Sequence, residues 1–166
     1  MTDPTKDGLL RFTKESYDGC FNEDLLDQYK LYVQSAENVS ARRIASSRYL
    51  LTFNTALVAL YGFQSQIPSW GWLMVLVPIL GVLASALWCQ IIKSHKDLNA
   101  VKFEIIHELE QHFPARLYAY EWQRANEGRG KRYRAVTDTE GWIPWVFLVL
   151  HPVLSIFLFI DSTSVH

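Results

Sequence analysis

The sequence predicts an all-α, polytopic membrane protein, in which a long helical hairpin with a cytoplasmic stalk is followed by a third transmembrane helix. Three observations predict this fold class. Nearly all charged residues of the 166-residue chain lie in residues 1–48 and 93–141. Segments 70–92 and 142–160 contain no Asp, Glu, Lys or Arg, and an apolar run of about 20 residues suits a transmembrane helix. Outside these runs, apolar residues recur at spacings of three and four, which is typical of amphipathic helices.

The chain begins with a polar segment that an amphipathic helix follows. Residues 1–21 mix both charges and lack the basic start and apolar core of a secretory signal. Residues 22–45 are predicted to form a cytoplasmic helix. Its apolar residues recur at helical spacing: Leu25, Leu26, Tyr29, Tyr32, Val33, Ala36 and Val39.

Residues 46–63 are predicted to form the first transmembrane helix. It is the least apolar of the three, because Arg48 lies near its start and Thr52, Asn54 and Thr55 lie inside it. Neither Pro nor Gly separates it from the amphipathic helix before it. We therefore expect one continuous helix that contains both segments.

Residues 70–92 are predicted to form the second transmembrane helix, with a kink near Pro78. Helical periodicity continues through residues 93–113, a second cytoplasmic helix that Pro114 ends. The short linker between the first two transmembrane helices favours antiparallel neighbours. The two cytoplasmic helices would then form the stalk of the hairpin.

The last part of the chain is predicted to cross the membrane once more. Residues 114–141 form a cytoplasmic connector, in which 127–141 is predicted to be a loop. Residues 142–160 form the third transmembrane helix, and residues 161–166 form an external tail. The alternative, buried core helices of a soluble protein, is disfavoured because two charge-free runs of this length occur in a short chain.

The distribution of positive charge predicts the orientation. Of the 16 Lys and Arg residues, seven lie before the first transmembrane helix or at its edge, and nine lie between the second and third. The linker 64–69 and the tail 161–166 contain none. By the positive-inside rule, the amino terminus of this multi-pass protein is cytoplasmic and the carboxyl terminus external.

Polar residues inside transmembrane helices are candidate functional residues. Asn54, Ser85 and His151 fall near the middle of the first, second and third helix, so they are expected at a similar depth. One interpretation is a polar path or a proton-sensitive gate centred on His151. The other is that these side chains hold the helices together by hydrogen bonds.

A basic cluster precedes the third transmembrane helix. It consists of Arg129, Lys131, Arg132 and Arg134. One interpretation is contact with anionic lipid headgroups, and the other is a site for a nucleotide or another anionic ligand. The two glycines nearby do not make a phosphate-binding loop.

The sequence does not predict an enzyme. It has no Walker loop, dinucleotide fingerprint or Ser/His/Asp arrangement, and no catalytic residue, cofactor or metal site is predicted. The segment HELEQH lacks the spacing that brings two histidines together on one helix face. Cys20 and Cys89 have no metal-binding spacing and are interpreted as free thiols. A net charge of −1 gives no argument for a nucleic-acid partner.

Several motifs resemble those of a known family of bacterial membrane proteins. They are YKLYVQSAENVSARR, FNTALVAL and HKDLNAVKFEIIHELEQHFP, followed by YAYEW and WIPWVF. With these motifs the chain resembles the RipA family of octameric membrane proteins over residues 22–148. The resemblance implies a bacterial inner-membrane protein that assembles into a homo-oligomer, expected to be an octamer. The layout is also similar to that of SLATT proteins, which are proposed membrane effectors with two rather than three membrane spans.

Oligomerisation implies an interface between subunits. Tyr29, Tyr32, Arg42 and Arg43 are candidates, because Tyr and Arg are favoured interface anchors. The alternative is that the tyrosines only pack within the hairpin. Membrane lipids and further copies of the chain are the expected partners, with a cytoplasmic protein as another candidate.

Two functions are consistent with this layout. In the first, the oligomer is a pore-like membrane effector in a stress or anti-phage response. In the second, it is a non-conducting scaffold or sensor that recruits cytoplasmic partners through its helical stalk. A transporter is disfavoured, because the sequence shows neither an inverted repeat nor paired broken helices.

Overall fold

The structure is a computed structural model that describes residues 8–64, 73–125, 129–130, 133–134 and 140–164. It confirms the predicted all-α fold class. The helices are α1 (Phe21–Gln64), α2 (Leu73–Leu109), α3 (Leu117–Arg124) and α4 (Trp142–Ser164), and a 3-10 turn (Glu110–His112) follows α2 directly. The linker between the first two predicted spans lies outside the described residues.

Helix α1 is 44 residues long and has no interruption between its polar and its apolar part. The acidic residues Glu23 and Asp24 lie in its first turn, where they complement the positive end of the helix dipole. The backbone carbonyl of Cys20 accepts hydrogen bonds from the amides of the same two residues. No Pro or Gly occurs from residue 22 to residue 61, so the helix can run on.

Three polar side chains of α1 donate hydrogen bonds to backbone carbonyls of the same helix. Thr52 Oγ1, Asn54 Nδ2 and Thr55 Oγ1 donate to the carbonyls four residues earlier, at 3.0, 2.8 and 2.8 Å. Such bonds lower the cost of placing polar groups in an apolar environment. They make this segment more compatible with lipid than its composition indicates.

The connector between α3 and α4 differs from the predicted loop. It contains two short strands, β1 (Arg129–Gly130) and β2 (Tyr133–Arg134). They pair antiparallel, with Arg129 opposite Arg134 and Gly130 opposite Tyr133. The two strands are two residues apart in the sequence, which is the commonest spacing in β-hairpins. This spacing was not recognised from the sequence.

The chain divides into two compact units, and α1 and α2 each contribute to both. The polar unit comprises residues 1–41 and 97–134. Its buried side chains include Leu25 and Ala36 of α1 and Ile106 and Leu109 of α2. Within it, Lys102 Nζ donates to Ser35 Oγ at 2.8 Å, so the two helices pack against each other.

The apolar unit comprises residues 42–96 and 135–166. Its core cluster contains Leu57 and Tyr61 of α1 and Val77 of α2, and Leu154 and Leu158 of α4 pack against it. The core therefore joins all three helices of this unit. Its outer surface is also apolar, with large exposed side chains on each helix.

Two stretches of helix are long and apolar enough to cross a membrane, Val75–His112 and Trp142–Ile160. Among the described residues, segment 46–63 does not reach the same apolarity. The passage of this segment across the membrane remains a prediction.

Candidate functional site

The polar residues predicted at mid-membrane meet inside the apolar unit. Asn54 of α1, Ser85 of α2 and His151 of α4 are all fully buried. His151 Nε2 lies 3.0 Å from Asn54 Oδ1, and Ser85 Oγ donates to the same oxygen at 3.0 Å. The Asn54 side chain therefore connects the other two helices at one point. We call Asn54, Ser85, His151 and their neighbours Tyr61 and Gly81 the polar cluster.

The hydrogen bonds assign the orientation of the Asn54 amide. Its Nδ2 donates to the Leu50 carbonyl at 2.8 Å. The reverse orientation would place Oδ1 against that carbonyl, and two acceptors would then face each other. Oδ1 is therefore the atom that faces Ser85 and His151. It follows that His151 Nε2 carries a proton and donates to Asn54.

Tyr61 completes the bonding of the imidazole and was not predicted as a site residue. Its hydroxyl lies 3.3 Å from His151 Nδ1 and 3.3 Å from the His151 carbonyl. In a neutral imidazole with its proton on Nε2, Nδ1 is an acceptor, so the single hydroxyl proton of Tyr61 is shared between Nδ1 and the His151 carbonyl. The sequence did contain a signal, because Tyr61 lies two helical turns after Asn54 and hence on the same face of α1.

Gly81 allows α4 to approach α2 closely. A Cβ atom at this position would overlap the ring of His151. The Gly81 carbonyl also accepts a hydrogen bond from Ser85 Oγ at 2.8 Å. Any larger residue at position 81 would have to displace the imidazole, so glycine is required for the geometry of the cluster.

The polar cluster forms its hydrogen bonds within one subunit. Each polar side chain has a partner, and the three key residues have no solvent-exposed surface. No group of three His, Cys, Asp or Glu residues suited to a metal ion occurs in the described part of the chain. The arrangement can hold three helices together by hydrogen bonds, and it leaves no polar group directed to a path between subunits.

Two further contacts lie in the apolar unit, away from the polar cluster. Trp88 is buried, and its Nε1 donates to Ser47 Oγ at 3.1 Å. Arg43 Nη1 lies 3.4 Å from Glu140 Oε2, with side chains 12% and 28% exposed. Glu140 comes two residues before α4, so the ion pair ties the start of that helix to α1.

A second site, in the polar unit, is centred on Glu110, which is 1% exposed. Its Oε1 and Oε2 accept hydrogen bonds from the backbone amides of Tyr118 and Ala119, at 2.8 and 2.9 Å. These amides lie in the first turn of α3, where no intrahelical acceptor is available to them. The carboxylate therefore caps α3 from outside the helix and meets its positive dipole end.

Tyr29 is the third donor to Glu110, with its hydroxyl 3.1 Å from Oε1. Burial raises the pKa of the Tyr29 phenol, and the hydrogen bond to Glu110 and the negative charge of Glu110 raise it further. The Tyr29 ring also lies 5.0 Å from the ring of Phe113. Glu110 was not predicted from the sequence, although it lies four residues after Ile106 and hence continues the buried face of α2 into the 3-10 turn.

The residues predicted for a subunit interface lie in different environments. Tyr29 contacts Glu110, and Tyr32 lies under Lys102 Nζ at 4.6 Å from the ring centroid, so both tyrosines pack within the subunit. Arg43 pairs with Glu140, and Arg42 is exposed. Their role in an interface remains a prediction.

The predicted basic cluster is only partly covered by the structure. The backbones of Arg129 and Arg134 lie in the paired strands, whereas Lys131 and Arg132 lie outside the described residues. Contact with lipid headgroups or with an anionic ligand remains a prediction.

The long apolar helices, the apolar exposed surface and the buried polar cluster define an α-helical membrane protein. The model of the octameric membrane protein family (8xMP) matches residues 26–160, and the chain belongs to this family. The resemblance to octameric membrane proteins is thereby confirmed, and self-association follows from it. The match does not test the RipA name or the similarity to SLATT proteins. No curated protein and no solved structure matches the chain.

Proposed function

We propose that the protein is a three-span subunit of a homo-octamer in a bacterial inner membrane and acts as a non-conducting scaffold or sensor. The enclosed polar cluster supports this proposal most directly. Asn54, Ser85 and His151 are enclosed within one subunit, so none of them is left to line a path between subunits. Their similar depth, which favoured a pore at the level of sequence, is explained by hydrogen bonding among three helices.

The polar cluster also supports three membrane crossings. Its hydrogen bonds connect α1 to both strongly apolar helices, α2 and α4. If α2 and α4 cross the membrane, the α1 segment 46–63 must lie at the same depth to reach them. The amino terminus would be cytoplasmic and the carboxyl terminus external, because the Lys and Arg residues lie on one side.

The surface for recruiting a cytoplasmic partner would be α3. Leu117, Tyr120 and Trp122 of this helix are 70%, 60% and 44% exposed. Glu110 holds the start of α3 in place, so the helix is presented in a fixed conformation. Exposed aromatic side chains on an ordered helix are typical anchors of protein interfaces.

A pore-like effector in a stress or anti-phage response is the second candidate. It is favoured by the exposed side of α1, where Arg48, Thr52 and Thr55 make a polar surface within the predicted first transmembrane segment. In a ring of subunits such a surface could face a central path. The hydroxyls of both threonines already donate to their own helix, which weakens this interpretation.

Ion flux in proteoliposomes separates the two functions. A scaffold should release no more of an entrapped fluorescent ion indicator than protein-free vesicles do. A pore should conduct, and Thr52→Val with Thr55→Val should change that conductance. Conductance that depends on these residues would overturn the scaffold proposal. Val153→Ala, on the exposed apolar side of α4, serves as the control.

A further inference from the structure

Arg48 of α1 and Gln90 of α2 are exposed polar side chains within the predicted first and second transmembrane segments. Within the described part of the chain, neither side chain forms a hydrogen bond or an ion pair. On α4, by contrast, the exposed surface is apolar, with Val153 and Phe157 54% and 65% exposed. Lipid tails suit the α4 surface, but they cannot satisfy a guanidinium or an amide.

The two polar side chains lie at about the same level of the helical hairpin. The hydrogen bonds from Trp88 to Ser47 and from Ser85 to Asn54 fix the antiparallel register of α1 and α2. Arg48 directly follows Ser47, and Gln90 comes two residues after Trp88. A turn of about 200° separates Gln90 from Trp88, so Gln90 points away from α1 and cannot meet Arg48 of its own subunit.

A ring-shaped oligomer brings two such surfaces together. In a cyclic assembly beyond a dimer, each contact joins two different faces of neighbouring subunits. Arg48 offers only hydrogen-bond donors, whereas the amide of Gln90 offers an acceptor oxygen. The two side chains are therefore complementary, lie at one level and point to different sides of the subunit.

We propose that the α1 face with Arg48 and Thr52 packs against the α2 face with Gln90 and Leu87 of a second copy of this chain. Thr52 Oγ1 already donates to the Arg48 carbonyl, so its side chain presents mainly its methyl group to the neighbour. Leu87 is 52% exposed and offers apolar area beside Gln90. The proposal rests on the proposed membrane crossing of α1.

Paired cysteines test this contact. Arg48→Cys and Gln90→Cys are combined in a chain that also carries Cys20→Ser and Cys89→Ser. After oxidation in the membrane, a non-reducing gel should show a ladder of covalent oligomers. Each single variant should run as a monomer on this gel, because the disulfide requires a cysteine at position 48 of one subunit and at position 90 of its neighbour. A mixture of the two single variants should give dimers that contain one chain of each.

The control combines Arg48→Cys with Val146→Cys. Val146 is 60% exposed and precedes Phe147, whose ring lies near Trp88, so it shares the level of Gln90 on another helix. This pair should give no ladder. If the first pair prevents assembly, Thr52→Cys with Leu87→Cys tests the same contact. Assembled oligomers that give no ladder from either pair would overturn the proposal and leave lipid or water as the occupant of the α1 face.

A separate labelling experiment distinguishes failure of this contact from failure of the proposed topology. Ser65→Cys should react with a membrane-impermeant maleimide added to intact cells whose outer barrier has been removed, because the linker after α1 would be external. If Ser65→Cys is labelled but the cysteine pairs give no ladder, only the proposed contact between subunits is overturned. Protection of Ser65→Cys from the reagent until lysis would overturn the crossing of α1, and the contact with it.

Discussion

The Nε2 nitrogen of His151 lies 3.0 Å from the Oδ1 oxygen of Asn54, and both residues are fully buried in the apolar unit. This contact joins the last helix of the chain to the first. The Asn54 oxygen also accepts from Ser85, whose hydroxyl has a second acceptor in the Gly81 carbonyl, so removing the oxygen leaves the His151 Nε2 proton without an acceptor. The strength of the polar cluster can therefore be measured at a single position.

Asn54→Leu should destabilise the three-helix arrangement by about 1–2 kcal/mol, because the Nε2 donor of His151 loses its acceptor in an apolar environment and Ser85 loses its hydrogen bond to α1. The measurement is the free energy of unfolding in mixed micelles. Thr55→Val is the matched control, because that side chain is exposed and bonds only to its own helix; its effect should stay below about 0.5 kcal/mol. Equal effects of the two variants would contradict the role of Asn54.

Gly81→Ala should also destabilise the protein, by about 1–3 kcal/mol, because the added Cβ overlaps the His151 ring. Gly62→Ala provides the comparison, since a Cβ there meets no atom within 4 Å. That variant should be neutral or more stable by up to about 1 kcal/mol, as expected for alanine in a helix. Thermal unfolding of both variants measures these stability changes. If Gly81→Ala left stability unchanged, α4 would not approach α2 so closely.

Glu110→Ala should loosen α3, because the amides of Tyr118 and Ala119 lose their acceptor. A loss of about 1–2 kcal/mol corresponds to roughly 5–30-fold faster exchange of these two amides. Hydrogen exchange followed by mass spectrometry checks this. Glu108→Ala, at an exposed position close by, should leave exchange in α3 unchanged. Unaltered exchange in Glu110→Ala would contradict the capping role.

Tyr29 makes the stability of the polar unit sensitive to alkaline pH. The raised pKa of its partly buried phenol means that the folded state holds the proton more tightly than the unfolded chain, in which the ordinary pKa is 10.0. The stability from protonated Tyr29 is complete below pH 10 and is lost as pH rises toward the raised pKa. Tyr29→Phe should flatten this alkaline decline in unfolding free energy, whereas Tyr120→Phe, at a 60% exposed position, should not. If the unfolding free energies of the wild type and Tyr29→Phe declined identically at alkaline pH, this role of Tyr29 would be contradicted.

Arg43 and Glu140 should show a modest energetic coupling of about 0.5–1 kcal/mol in a double-mutant cycle, because both side chains are partly screened by solvent. Arg43→Ala and Glu140→Ala should each destabilise the protein, and the double variant should cost less than the two losses together. Additive losses would show that the pair does not hold the start of α4.

The helices could be predicted from sequence because their signals are local. Charge-free runs gave the apolar helices, and the absence of Pro and Gly predicted the continuity of α1. Asn54, Ser85 and His151 stood out because polar residues are rare in such runs. Their shared depth was also inferable, since antiparallel helices bring their midpoints together.

The contacts of these residues depend on how helices pack, which local patterns do not encode. The overlap between a Gly81 Cβ and the His151 ring depends on the separation of α2 and α4. Tyr61 was overlooked because tyrosine is common in membrane helices and gives no polar signal by itself. Glu110 resembled its solvent-facing neighbours in HELEQH, and only the continued spacing from Ile106 placed it on the buried face.

The mass of the purified protein in nanodiscs tests most directly the claim that this chain builds a closed homo-oligomer. We expect one species with a protein mass about eight times the 19.2 kDa of the chain. This mass should persist in Asn54→Leu, because the polar cluster lies within one subunit. A monomer or a dimer in the wild type would contradict a closed homo-octamer.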